Sequence, residues 1–205
     1  MQPATVQAIL LVGSLAWVGC VSCLLLLHFL PTGVHPVRDF VSSYALGRFG
    51  VLYQAQAIAS GIGAACLLSV ILGLRVPVPR WGLACLALYS LSRMLIAAFP
   101  ADIASRRTHT GRIHVVLATT TFAGIAYAAV ALTPALARRP PWNDVAGALH
   151  AATLLTAVSA AALAVAFVTR RFEPILGMIE RCIYLGTLLW LGTLFVSLSA
   201  WAWNA

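Results

Sequence analysis

Six long apolar runs, separated by short clusters of Arg, Pro, Asp and Gly, occupy nearly the whole chain. They cover about residues 6–30, 51–74, 81–99, 113–136, 145–168 and 174–203. Each holds roughly the 20 apolar residues needed to cross about 30 Å of hydrocarbon. Lipid offers no partner for backbone N–H and C=O groups, so a spanning segment must be a helix or part of a closed barrel. These runs are too long and too uniformly apolar for barrel strands. The pattern predicts an all-α integral membrane protein, one six-helix transmembrane bundle with short loops and both termini at the same end. Small residues (Gly61, Gly63, Ala64, Ala65, Gly124, Ala160, Ala161 and Ala162) would let helices approach closely. Asp144 stands where a cap for the fifth helix is wanted. Trp201 and Trp203 fit an interfacial anchor.

Composition sharpens this reading. Of 205 residues, 61% are hydrophobic and 9% charged, with a mean hydropathy of +0.95. A soluble domain carries about 25% charged residues. The net charge of +8 comes wholly from arginine, with no lysine in the chain. Those arginines stand at the ends of apolar runs, where they meet lipid head groups and set topology. Membrane lipids are therefore the expected partners, and nucleic acid is not. The five cysteines include one C-x-x-C pair, Cys20 and Cys23, with no second pair to complete a zinc cage. They read as small apolar helix residues. The first run continues past Cys20, which marks a retained anchor rather than a cleaved signal.

The polar residues are distributed unevenly. In a six-span layout, the first, third and fifth turns share one end. That end collects Asp39, Asp102, Glu173 and Glu180, and the other only Asp144. It also collects His28, His35, His109 and His114, against His150 alone. Arg93 lies inside the third run, seven residues before Pro100. At 1.5 Å per residue it is roughly 10 Å below that surface. Gln54 and Gln56 reach a similar depth in the second run, and Glu180 in the sixth. A charge at such depth faces the bundle interior and finds a partner. Asp39, Asp102 and Glu180 are the carboxylates in range. Asp102 follows Arg93 by nine residues and falls on the opposite helix face, so it reaches Arg93 only if Pro100 breaks the helix and the loop folds back.

These groups define a candidate site. Asp39, Asp102 and His114 are the candidates for acid–base or metal chemistry. Arg93, Ser42, Ser43, Gln54, Glu180 and Arg112 are the candidates for ligand binding. His109 and His114 are some 140° apart on a helix, so a metal would need His109 from the preceding loop, with Asp39, Asp102 and His35. A haem would pair His28 with His114. No P-loop, GxGxxG or nucleophile elbow is present, so no cofactor is identified.

Three short motifs carry a resemblance. They are Asp39-Phe40-Val41-Ser42-Ser43-Tyr44-Ala45-Leu46-Gly47, Phe99-Pro100-Ala101-Asp102 and Gly111-Arg112-Ile113-His114. Together they resemble the bacterial six-helix membrane family known as domain of unknown function 998, itself distantly similar to Frag1/DRAM/Sfk1-type membrane proteins. The resemblance spans about residues 8–200. It implies that Asp39, Ser42, Asp102 and His114 belong to shared polar features. Where a Ser-acidic-Leu-Gly pattern is expected, this chain has Ser43-Tyr44-Ala45-Leu46-Gly47.

The functional expectation is a polar pocket near one membrane face that binds or processes the head group of a lipid or amphiphile. The alternatives are an accessory or scaffold subunit of a larger membrane complex, with a protein partner, and a metal-dependent membrane hydrolase. Arginines near the odd turns (Arg38, Arg48, Arg106, Arg107, Arg112, Arg170, Arg171, Arg181) outnumber those near the even turns (Arg75, Arg80, Arg138, Arg139) by eight to four. That count puts the odd turns in the cytoplasm. The resemblance instead implies cytoplasmic termini and an outward-facing pocket in the cell inner membrane.

Overall fold

A computed structural model describes residues 1–102, 108–169 and 172–204. Among these residues six α-helices form the bundle: α1 (Pro3–Phe29), α2 (Gly50–Gly73), α3 (Arg80–Ile96), α4 (His109–Leu136), α5 (Ala146–Thr169) and α6 (Leu176–Asn204). No strand occurs among the described residues. Five of the six rods are long and apolar enough to cross a membrane. The exception is α3, whose 17 residues rise about 26 Å, just short of the hydrocarbon thickness. Tight turns through Ala98 and Phe99 prolong it slightly.

Each helix packs on its neighbour in sequence, and α6 closes the ring against α1 while touching α2 and α4 across the middle. The α1–α6 pair is antiparallel. Gln7 Nε2 donates to the Ala202 carbonyl at 2.8 Å and Trp17 Nε1 to Leu188 at 3.1 Å. At the far end Arg181 Nε meets His28 Nε2 at 2.9 Å. Both termini therefore lie at one end of the bundle, as the run pattern predicts. The core joins Leu10, Leu67, Leu86, Ile125, Leu132, Trp190 and Leu194, which are wholly or almost wholly buried. The outer faces stay apolar: Leu15, Val51, Val116, Leu154 and Val196 are all more than half exposed, as lipid-facing residues should be.

Two sequence expectations shift. Helix α4 begins at His109 because Thr108 caps it, accepting from Gly111 N at 3.0 Å. Asp144 does not cap α5, but sits exposed within a 3-10 turn, Asn143–Val145.

Candidate functional site

The site forms where α3 turns its polar stripe inward. Leu86, Tyr89, Arg93 and Ile96 share a buried face at helical spacing. Arg93 is only 2% exposed. Its Nη2 donates to Gln56 Oε1 at 2.8 Å and its Nη1 to the Tyr184 hydroxyl at 3.1 Å. The guanidinium carbon stands 5.4 Å from the Tyr184 ring centroid, within cation–π range. Arg93 Nε has no partner, nor has Gln56 Nε2. A buried, unsatisfied N–H on a charged group is costly.

Two loops roof this core. The segment after α3 turns back at Pro100, and Asp102 accepts from the Thr108 amide at 2.9 Å and from its hydroxyl. Gly111 makes room for this: a Cβ there would overlap the Asp102 carboxylate. His114 Nδ1 lies 2.7 Å from the Phe99 carbonyl. A carbonyl only accepts, so Nδ1 carries the proton and a neutral ring keeps Nε2 as an acceptor.

The loop after α1 docks on α6. Glu180, 3% exposed, accepts from the Val41 amide at 2.6 Å. Arg181 Nη1 donates to the Asp39 carbonyl at 2.8 Å and Nη2 to the Tyr44 hydroxyl at 3.2 Å. Gly177 admits the loop, since a Cβ there would strike the Asp39 carbonyl. Phe40 stacks on Phe167 of α5, with centroids 5.8 Å apart.

Between these parts lies a cavity of about 240 Å3. Arg93, Asp102, His114, Glu180 and Ser42 line it, with Tyr53, Thr121 and Tyr184, while Phe40, Val115, Phe122, Leu163 and Phe167 give it apolar walls. Residues from the first loop, α2, α3, the Pro100 turn, α4, α5 and α6 thus share one space.

A family model described as "Protein of unknown function (DUF998)" matches residues 11–197. The chain belongs to this family. The matched stretch contains every residue lining the cavity of this DUF998 protein. No curated protein and no solved structure matches the chain.

Several expected site residues fall elsewhere. Asp39 does not line the cavity. Its carboxylate accepts from the His35 amide at 2.7 Å and closes a turn within its own loop, while its carbonyl holds Arg181. Gln54 is exposed on the outer face of α2. The glutamine that meets Arg93 is Gln56, which falls in step with buried Tyr53 and Ser60. Arg112 is exposed and does not line the cavity. Ser42 lines the cavity, but Ser43, one position along the same 3-10 helix (Val41–Leu46), does not.

Neither metal nor haem gains support. Among the described residues no group of three His, Cys, Asp or Glu side chains is placed to hold a metal. His28 is engaged through both ring nitrogens, by the Leu24 carbonyl and Arg181. Arg106, Arg107, Arg170, Arg171 and the Glu173 side chain lie outside the described residues. Sequence reasoning missed Tyr184, although it stands one helical turn after Glu180 on the same face. It also read Arg181 as a topology signal, whereas Arg181 ties the first loop to α6.

Proposed function

We propose that this DUF998 protein binds the polar head of a membrane amphiphile in the cavity beneath its two roofing loops. Arg93 carries the reading. It is buried, its bonded partners Gln56 and Tyr184 are both neutral, one of its N–H groups has no partner, and the residue lines a space large enough for a small head group. Arginine is the side chain best suited to a phosphate or carboxylate, through bidentate hydrogen bonds. A bare anion is a poor fit, because Asp102 and Glu180 line the same walls. A phosphate beside hydroxyl or amine donors suits the set: the anionic group meets Arg93, and the donors meet the two carboxylates and His114 Nε2. The location proposed is a cytoplasmic membrane, with the cavity facing outward and the termini in the cytoplasm.

Glycerol phosphate has these groups without an acyl chain. Its binding to the detergent-purified protein, followed as a rise in melting temperature, tests the reading. The wild type should respond, Arg93→Lys weakly, and Arg93→Gln not at all. An equal rise in wild type and Arg93→Gln removes the proposal.

A further inference from the structure

A second and larger space of about 400 Å3 runs along the seam between α4 and α5. Thr119, Phe122, Leu163 and Phe167 border both spaces, so the two lie side by side across these four residues. Below those residues the seam is walled mostly by alanine: Ala123 and Ala126 on α4, Ala157, Ala160, Ala161 and Ala164 on α5. Ala160 and Ala161 were expected to draw two helices together. Here they leave space, and α4 and α5 pack less closely than α3 and α4 or α5 and α6. The seam is open sideways, since Tyr127, Val130 and Phe167 on its rim are largely exposed. From Thr119 to Val130 it descends eleven residues, about 16 Å, which is close to half the hydrocarbon thickness of about 30 Å.

We infer that the α4–α5 seam holds an acyl chain of the amphiphile whose head group occupies the cavity, and that this amphiphile enters sideways from one leaflet. The inference rests on the head-group reading, and two further observations favour it. The first is adjacency to a space lined by a buried Arg93 whose Nε has no partner. The second is length, because the seam matches one leaflet and not the whole membrane. A physical argument supplies the reason for such a seam. Lifting an acyl chain into water is unfavourable for every CH2 exposed, and no single head-group contact offsets the sum. A seam that keeps the chain at membrane depth lets the head reach Arg93 without that transfer. The alanine walls then distinguish an acyl chain from bulk lipid by contact, since lipid tails are as apolar as the protein surface they touch.

The test uses a lysophosphatidate with a mid-chain diazirine and the full chain reconstituted in phosphatidylcholine vesicles. After irradiation, the expected label lies on peptides covering residues 119–130 and 157–167, and excess unmodified lysophosphatidate removes it. Ala161→Trp and, as a second blocking variant, Ala126→Phe should lower that label at least fivefold while leaving the response to glycerol phosphate intact. Uniform labelling of all outward faces, not displaced by competitor, overturns the inference. So does a seam protected from label by a co-purified transmembrane protein. The two readings separate cleanly. Arg93-dependent binding of glycerol phosphate with unselective labelling rejects the seam alone, whereas selective labelling that survives Arg93→Gln rejects the head-group role of Arg93.

Discussion

A residue retained for a ligand can be told from one retained for the fold by replacing it with its apolar counterpart. Arg93→Met removes a buried charge whose presence at membrane depth costs about 2.5–3.5 kcal/mol on insertion scales. It also strands the Tyr184 hydroxyl, bonded to Arg93 at 3.1 Å, and leaves the Gln56 oxygen, bonded to Arg93 at 2.8 Å, with only the Cys20 thiol at 3.8 Å. Each stranded polar group costs about 1–3 kcal/mol. The single variant should therefore fall between about 1.5 kcal/mol more stable and about 3.5 kcal/mol less stable. Adding Gln56→Met removes one stranded oxygen and the already unpaired Gln56 Nε2. The double variant should then equal or exceed the wild type in stability, in line with the general finding that buried ionic groups replaced by well-packed apolar ones are often neutral or stabilising. Reversible unfolding in mixed micelles with increasing dodecyl sulfate measures this, and the same protein should no longer respond to glycerol phosphate. A double variant more than about 3 kcal/mol below the wild type would refute the reasoning, because Arg93 would then be holding the bundle together.

Three other outcomes are expected. Gly111→Ala should displace the Asp102 carboxylate from Thr108 and reproduce the effect of Asp102→Ala on glycerol phosphate binding; full retention of binding in Gly111→Ala would show that Asp102 does not shape the site. Glu180→Ala should leave the Val41 amide unpaired, lower stability by about 1–3 kcal/mol, and speed proteolysis within residues 31–49, while Glu180→Gln, which keeps an acceptor oxygen, should recover at least half of the loss. A fluorescent reporter on the C-terminus should be active and a periplasmic phosphatase fusion inactive; the reverse pattern would turn the cavity toward the cytoplasm.

Much of the architecture was legible because lipid removes alternatives. A run such as 51–74 must satisfy its own backbone, and helix is the only local solution. That Arg93 would face the bundle interior was legible because a charge inside an apolar run is costly toward lipid, as was the need for Pro100 to turn the chain if Asp102 was to share its cavity. The identity of the partner was not. Gln54 and Gln56 lie at the same depth, and only the helix phase set by Gly50, Tyr53 and Ser60 decides which faces inward. Asp39 was misassigned because a carboxylate can cap its own loop as readily as reach into a pocket. The alanines of α5 illustrate a different limit. Small side chains permit either close approach or an open seam, and no spacing rule within α5 chooses between them.

The contacts of Arg93 also imply an order of events during synthesis. Its glutamine partner lies 37 residues before it and its tyrosine partner 91 residues after it. When α3 is made, Gln56 is already in the chain and Tyr184 is not. Glu180, which anchors the first loop through Val41, arrives with the same last helix. The nascent bundle therefore carries a half-coordinated cation and an undocked loop until α6 inserts, and both are resolved in one step. A chain that stops short of α6 lacks both partners at once, so α6 is the segment that completes the bonding of Arg93 and of the first loop together.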